Sequence, residues 1–397
     1  MFFQNKRGFT LVELIVVMAI FMTVLMVTAT AFKTIVNSSA QQSKSAETQI
    51  EGIVGLEVLR ADMEHAGFGL PWTFQTTSPV VAYGEATNVD TAPEAFWPTG
   101  QSPASFNDAP GNAPRAVLSG NTTFNSDGAI GSSYLVIKST LAVASGASKR
   151  WTTMSFDEDN VKTVRQWGAT TDRDFETADR VIVVKNSLTT TPPTRQLMAP
   201  TSTVFSATFG TYSIALAIQH QNGDTFEIYG VNPNTDLRMP FNRADYYVRR
   251  PTNMPSSCMA SPGVGILYKS TVSQATGELT VGMPLLDCVA DMQVVYGLDN
   301  DGVGRVNQYL DAPANTPSPT AADIRNQLRE IRVYILAQEG IKDRFYTYPS
   351  ETVEVGEVLN GVQRGRVFNL NDRLGPDYKY YRWKVYTIVV RPKNLVQ

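Results

Sequence analysis

The sequence is poor in the residues that most often perform catalysis or bind metals. Its 397 residues include two histidines, His65 and His220, and two cysteines, Cys258 and Cys288. Neither histidine has a metal-ligand spacing to a cysteine, so no zinc site is predicted. The sequence also contains no Gly-x-Ser-x-Gly elbow and no phosphate-binding loop. We therefore expect a protein that is not an enzyme and has no cofactor.

The sequence also has no excess of basic residues. Lysine and arginine number 34 against 37 acidic residues, which gives a formal net charge of −3. Removal of Lys6 and Arg7 would make the chain more negative by two charges. Proteins that bind nucleic acid through its phosphates usually carry a basic surface, so the charge does not indicate a nucleic-acid partner.

Charged residues are missing from one long N-terminal segment. No residue from Leu14 to Phe32 is charged, and the 24 residues from Phe9 to Phe32 would form a helix about 36 Å long. Such a helix crosses a bilayer. Lys6 and Arg7 precede it and Lys33 follows it, and the short basic leader favours the cytoplasmic side. The pattern predicts a single membrane anchor with the rest of the chain translocated.

Glu13 is the one acid at the start of this apolar segment. A carboxylate within hydrocarbon costs about 2.5 to 3.5 kcal/mol, so an acid kept there usually has a partner. Cleavage after Gly8 would remove the basic leader, retain the apolar helix and expose the α-amine of Phe9. That amine would pair with Glu13 of the same chain or of a neighbour. An intermolecular pair would fix the axial register between subunits.

The segment Gly8-Phe9-Thr10-Leu11-Val12-Glu13 resembles the prepilin motif of type IV pilins and type II secretion pseudopilins. The resemblance implies that a prepilin peptidase recognises the leader with Lys6 and Arg7, cleaves after Gly8 and N-methylates Phe9. It also implies that Glu13 acts in assembly. The alternative is an ordinary signal anchor in which Glu13 lies near the cytoplasmic interface.

The helix is predicted to continue beyond the membrane. No proline occurs before Pro71, and apolar residues recur at three- and four-residue steps after Lys33. These residues are Ile50, Ile53, Val54, Leu56, Leu59 and Met63. Gly67, Gly69 and Pro71 should end the helix. A helix from Phe9 to about Ala66 would be about 85 Å long, with 9–32 in the membrane and 33–66 amphipathic under a head.

The composition changes to short β-branched and aromatic runs after Pro71, which predicts an antiparallel β-rich head and an α+β fold. The predicted strands are Tyr134–Ser139, Arg180–Val184, Tyr246–Arg249, Gly265–Lys269, Met292–Tyr296, Ile331–Leu336 and Tyr380–Val390. In the last strand, Tyr381, Trp383, Val385, Thr387 and Val389 should share one face. Gln75–Arg115 and Ala312–Thr320 are predicted surface loops. The head, residues 67–397, is one large unit or two lobes, 67–240 and 241–397.

Four segments resemble PilW-type minor pilins: 57–69 at the helix exit, then 245–250, 284–297 and 329–334. The resemblance implies association with other minor pilins, the major pilin and a tip adhesin. It also implies an inner-membrane protein with a periplasmic head that reaches the cell-surface pilus on assembly. Residues from about 70 to 240 resemble no family.

Cys258 and Cys288 both lie in the exported part, where a disulfide persists, so we predict a bond between them. Two isolated thiols are the alternative. Asp299 and Asp301, with Asp311, are weak calcium candidates, and a tight turn explains the same sequence. His65 is read as a helix-end residue. The aromatic cluster Tyr378, Tyr380, Tyr381, Trp383 and Tyr386 is read as strand packing, with a recognition surface as the alternative.

These features predict a minor type IV pilin that functions by assembly. A type II secretion pseudopilin of the minor tip complex is a close alternative, although the 331 residues after Ala66 are many for that class. A membrane-anchored surface binding protein that does not polymerise is an alternative of another class. A hydrolase attached to a pilin helix is a third.

Overall fold

The computed structural model describes residues 10–74, 81–87, 102–124, 130–156, 162–168, 172–187, 194–216, 218, 220, 224–233, 235–261, 263–311 and 319–395. One long N-terminal helix leads into a head that contains three antiparallel β-sheets. The predicted α+β fold is confirmed.

Helix α1 is unbroken from Leu11 to Glu64. The absence of proline permits this length, because every interior amide can donate to the carbonyl four residues earlier. Thr10 caps the first turn and His65 caps the last one, with its Nδ1 2.8 Å from the carbonyl oxygen of Ala61. The predicted helix and the helix-end position of His65 are both confirmed.

Among the described residues, sixteen strands form the sheets. In chain order they are β1 (Val117–Phe124), β2 (Ile130–Ser139), β3 (Trp151–Phe156), β4 (Lys162–Val164), β5 (Arg180–Ser187), β6 (Thr194–Leu197), β7 (Ala207–Thr208), β8 (Thr225–Asn232), β9 (Asn242–Arg249), β10 (Gly265–Thr271), β11 (Met283–Leu298), β12 (Gln308–Asp311), β13 (Leu328–Glu339), β14 (Thr352–Leu359), β15 (Val362–Asn369) and β16 (Arg382–Val390). The short helices are α2 (Tyr212–Ala215), α3 (Ala321–Gln327) and α4 (Leu370–Leu374), and 3-10 turns span Pro103–Phe106, Thr140–Ala142, Ala147–Lys149 and Pro376–Tyr380.

The large sheet has the strand order β1-β2-β9-β10-β11-β13-β16, with β12 paired to β11. The small sheet has the order β4-β3-β8-β5-β6, with β7 paired to β5, and β14 and β15 form a separate hairpin. Strands β1 and β2 precede residue 240 but pair with each other and, through β2, with β9. Residue 240 therefore does not separate two sheets, and the division into lobes stays a prediction.

The large sheet is buried on both faces. Its inner face packs with Leu56, Leu59 and Met63 of α1 and with one face of the small sheet. Its outer face, over β11, β13 and β16, packs under the β14–β15 hairpin and includes Tyr381 and Trp383. The opposite face of the small sheet has its own core, which includes Phe226 and Ile228.

Burial in the head differs from what the sequence suggests in two places. In β16, Ile388 and Val390 are buried against the inner core, whereas Thr387 and Val389 are exposed, because this strand buries a different face at each end. The described parts of the predicted 75–115 surface loop, 81–87 and 102–115, are irregular as predicted, but much of their length is buried against the large sheet. Most of the predicted 312–320 loop lies outside the described residues.

Candidate functional site: the N-terminal helix and its contact with the head

Glu13 folds back onto the start of its own helix. The Thr10 hydroxyl accepts a hydrogen bond from the Glu13 amide at 3.3 Å, and Glu13 Oε2 accepts from the Thr10 amide and hydroxyl, both at 3.0 Å. This reciprocal capping box satisfies two backbone donors that a helix start leaves open. Glu13, the one acid at the start of the apolar segment, thus has a local partner in Thr10. Thr10 follows Phe9, the expected new N-terminus.

Other predicted residues of this region lie outside the described residues. Lys6, Arg7, Gly8 and Phe9 precede residue 10, so cleavage after Gly8, N-methylation of Phe9 and a pair between Glu13 and the Phe9 amine stay predictions. The capping box places the Glu13 carboxylate at the end of the helix where that amine would lie.

Residues Leu11–Ala40 form a segment long and apolar enough to cross a membrane. Its large apolar side chains are exposed, with Leu11 at 77% and Met26 at 72%. The threonine hydroxyls inside it donate to carbonyls of the same helix, as with Thr23 to Ile20 and Thr28 to Val24, both at 2.7 Å. Because no polar hydrogen at these threonines needs water, the segment suits a lipid environment.

The second half of α1 reaches the large sheet through two glycines. A Cβ placed on Gly55 would lie 1.8 Å from the carbonyl oxygen of Leu285 in β11, which is far inside contact distance. A Cβ on Gly52 would meet the flexible Leu286 side chain at 3.0 Å. Gly55 therefore allows the helix to touch strand backbone directly. The apolar pattern did not predict this role, although two glycines three residues apart in a helix are a signal of close approach.

The apolar positions of this half do not all face the head. Leu56, Leu59 and Met63 are buried as predicted, but Ile53 and Val54 are each 64% exposed. The prediction of one apolar face was wrong for these two residues, because the face that packs on β11 passes through Gly52 and Gly55 instead. Ile50 has a side chain outside the described set.

Asp62 fixes the helix to two neighbouring strands. Its Oδ2 accepts from the Tyr246 hydroxyl of β9 and from Lys269 Nζ of β10, both at 2.5 Å. Burial raises the pKa of Asp62, and Lys269 and Tyr246 oppose that rise. Burial of a carboxylate is costly unless hydrogen-bond donors satisfy it. Asp62 meets both of its donors when α1 lies in this position, so the contact defines how the helix lies across the sheet.

The C-terminal end of α1 is held by residues from the beginning and from the end of the head's chain. Gly67 turns the chain with a φ of 82°, and its amide donates to the Lys138 carbonyl at 3.0 Å. From the last described residues, the Lys393 amide donates to the Glu64 carbonyl at 2.9 Å, and its ammonium pairs with the Glu64 carboxylate. The first and last parts of the head therefore meet where the helix ends.

A buried ionic cluster, which the sequence patterns did not predict, holds the irregular segments 81–87 and 102–115 on the large sheet. It consists of Glu85, Asp108, Lys138, Arg243 and Asp245, each at most 5% exposed. Lys138 pairs with Glu85 at 2.6 Å and Asp108 at 2.7 Å, and Arg243 binds both carboxylate oxygens of Asp245. Strand patterns gave no signal for it, because Glu85 and Asp108 lie far from Lys138 and Arg243 in sequence.

The predicted disulfide between Cys258 and Cys288 is confirmed. Both cysteines are buried in the outer core. The pairing of β10 with β11 shifts register between Gly265 and Leu267, beside Cys288, which has a φ of 57°. A side chain in this left-handed region is strained, and such bulges occur where a strand bends.

Asp299 and Asp301 lie in the turn after β11. Asp299 accepts from the amides of Val303 and Gly304 and from the guanidinium of Arg329 at 2.6 Å. Burial alone would raise the pKa of Asp299, but Arg329 and the Gly304 amide lower it to about 2. Within the described part of the chain, no group of three metal-ligating side chains is found. Calcium binding stays a prediction, and a cation would compete with Arg329.

Most of the predicted aromatic cluster lies in the outer core. Tyr378, Tyr381 and Trp383 are buried there, and Tyr380 packs against it. Tyr386 packs against the inner core instead. This arrangement supports strand and core packing over a recognition surface.

Two family models match the chain, on either side of the unassigned region. Residues 245–394 match type IV pilus-assembly protein W, and residues 3–29 match the prokaryotic N-terminal methylation motif. Searches of the curated proteins and of the solved structures found no match. The first match contains the strands β10, β11, β13 and β16 that form the helix-bearing half of the large sheet. The second contains the capping box and most of the apolar segment.

The family match indicates a role in the type IV pilus and association with its other components, and the methylation motif with its apolar helix indicates a membrane anchor. The long helix, the β-rich head and these two matches support a type IV pilin-like protein whose C-terminal part is similar to PilW.

Proposed function

We propose that this protein is a minor type IV pilin that is cleaved after Gly8, N-methylated at Phe9, and then incorporated into a pilus or used to prime its assembly. The observation that carries the proposal is the single helix Leu11–Glu64, with an exposed apolar first half and a second half packed on a folded head. Its partners would be prepilin peptidase, other minor pilins, the major pilin and a tip adhesin. Before assembly the head would lie in the periplasm and the helix in the inner membrane.

The capping box gives Glu13 a defined state before assembly. In an isolated subunit the carboxylate accepts from Thr10, so it does not lie in hydrocarbon without a donor. A carboxylate has about four acceptor sites, so Glu13 can keep a Thr10 bond and also accept a Phe9 amine from a neighbour. That charged pair, in the low dielectric of a helix bundle, would select the partner and the register.

The size of the head favours a subunit present in few copies or at the tip, since a thin filament has little room for a large head at every position. No catalytic step is needed for this role, and we propose none. The two histidines are used structurally, since His65 caps α1 and His220 stacks on Phe156 at 3.6 Å.

The decisive experiment separates the charge of Glu13 from its capping role. Glutamine can keep the capping-box hydrogen bond but has no charge, so Glu13→Gln should insert into the membrane normally and fail to enter filaments. Thr10→Val is the matched control, because it removes the cap hydroxyl and keeps the carboxylate. Normal incorporation of Glu13→Gln would contradict the role of the Glu13 charge in assembly.

N-terminal mass spectrometry of sheared filaments and of the membrane fraction completes the test. N-methylated Phe9 in filaments is expected, and Gly8→Leu should retain the leader and be absent from filaments. Processed protein found solely in the membrane would favour the pseudopilin alternative or a priming role. An intact Met1 leader would favour the membrane-anchored surface binding protein.

A further inference from the structure

A groove of about 430 Å³ opens beside the small sheet, in the part of the chain that neither family model matches. It lies between the end of β4 and the turn from β7 into α2. Two arginines, one acid, two phenylalanines and polar side chains line it, including Arg165, Arg173, Asp174, Phe175, Phe209, Gln166 and Ser213. Its volume is within the range of small-molecule sites.

The two arginines are held by one aromatic ring. The guanidinium carbon of Arg165 lies 4.1 Å from the centre of the Trp167 ring, and that of Arg173 lies 5.7 Å from it. Trp167 is itself fixed, because its indole N–H donates to the Trp151 carbonyl at 2.9 Å and its amide donates to Asp174 at 2.8 Å. The fixed ring thus stacks on Arg165 and lies within cation–π range of Arg173, and it neutralises neither charge.

Neither guanidinium has a carboxylate within ion-pair distance among the residues that the structure describes. The nearby acids have other partners. Glu176 and Asp179 pair with Arg150, and Asp174 accepts from the Trp167 amide. The groove therefore presents two positioned cations that can each bind a carboxylate through two parallel hydrogen bonds.

Aromatic rings form another part of the lining. Phe175 and Phe209 stack with centroids 4.6 Å apart, and Phe209 stacks on Tyr212 at 5.3 Å. Phe175 and Phe209 are half-buried, so part of each ring is accessible. A sugar ring has an apolar C–H face that packs on such rings and a polar edge that suits Gln166 and Ser213.

We propose that this groove binds an acidic saccharide, with a uronate carboxylate on Arg165 and Arg173 and a sugar ring on Phe175 and Phe209. A nucleic acid fits less well, because a phosphate backbone needs a continuous basic track and this groove is lined by two arginines. The proposal is independent of the role in assembly.

The test measures binding of a short oligogalacturonate to the full-length protein in detergent micelles by calorimetry. Arg165→Gln with Arg173→Gln should weaken binding by at least about tenfold, since each removes a charge-assisted hydrogen-bond pair. Arg305→Gln with Arg344→Gln, at exposed arginines outside the groove, makes the same charge change and should have no effect. Phe209→Leu, which keeps both charges, should weaken binding by a smaller factor.

Four results would overturn the proposal: no binding, equal binding of a neutral oligosaccharide of the same length, equal binding of polyglutamate or single-stranded DNA, or equal loss in the control pair. Thermal unfolding of each variant shows whether the head remains folded. If the Arg165 and Arg173 variant is unfolded, Phe209→Leu and the three competing probes still decide the outcome.

Discussion

Gly55 of α1 touches the backbone of Leu285 so closely that a methyl group on its Cα would lie 1.8 Å from the Leu285 carbonyl oxygen. The helix can therefore lie against β11 only without a side chain at this position. Backbone cannot move aside as a flexible side chain can, so the contact determines the distance between helix and sheet.

Gly55→Ala is expected to destabilise the head, although alanine is the better helix former by about 1 kcal/mol. The added methyl group must push α1 away from β11, and overpacking of this kind costs about 1 to 3 kcal/mol. Gly52→Ala is the matched control, because its nearest atom is a flexible leucine methyl group. Denaturant unfolding followed by tryptophan fluorescence should show a lower free energy of unfolding for Gly55→Ala alone. Equal changes in the two variants would contradict the close contact.

Arg243→Met should destabilise the protein by about 3 to 5 kcal/mol, because it leaves Asp245 buried without its cation and removes one of the two cations near Glu85. The methionine retains most of the buried volume. Arg305→Met, at an exposed position, should change the free energy of unfolding little. A cost below about 1 kcal/mol for Arg243→Met would show that the cluster contributes no net stability.

The same cluster predicts a dependence on pH. Burial alone would raise the pKa of Asp108, but Lys138 and Arg115 outweigh burial and hold its pKa below the usual 3.8. Because the folded pKa is the lower one, the stabilisation is present above pH 3.8 and is lost as the pH falls through the folded value.

Unfolding free energies of the wild type and of Asp108→Asn should therefore differ at neutral pH and converge in acid. The expected difference at neutral pH is about 1 to 3 kcal/mol. Glu354→Gln, at an exposed position of β14, serves as the control and should follow the wild type at each pH. A difference in unfolding free energy that grows as the pH falls would contradict a lowered pKa of Asp108.

Replacement of both Cys258 and Cys288 by serine should lower the free energy of unfolding by about 3 to 4 kcal/mol in the chain-entropy model. The bond closes a loop with a sequence separation of 30 residues. The double variant Cys258→Ser with Cys288→Gly should lose less unfolding free energy than the double serine variant, since glycine adopts the left-handed φ of 57° at residue 288 without strain. If the two double variants are equally stable, strain at residue 288 is negligible.

The sequence predicted the helix, its ends and the central strands well, because these depend on local patterns. Uncharged Leu14–Phe32, the absence of proline before Pro71 and the alternation around Ile331 are each visible within one segment. The disulfide was predictable because the chain offers a single pair of cysteines in its exported part.

The sequence could not show features that depend on distant partners. Lys138 and Arg243 look like exposed strand residues until the irregular segments that carry Glu85 and Asp108 pack against the sheet. Strand β11 runs from Met283 to Leu298, but only its central Met292–Tyr296 has a strong strand pattern. In β16 the buried face changes along the strand, so the alternation that places Thr387 and Val389 on the face of Trp383 does not predict that their part of this face is exposed.

The contact between Lys393 and Glu64 has a mechanical consequence. A tensile force along α1 is transmitted to the head by two parallel routes. One is the covalent turn at Gly67, and the other is the set of hydrogen bonds that Lys393 makes to the end of the helix. The second route leads directly into β16, which is paired along its whole length with β13. Tension on the helix is thus shared between both ends of the head's chain, and the load reaches the large sheet without first unravelling its edge at β1.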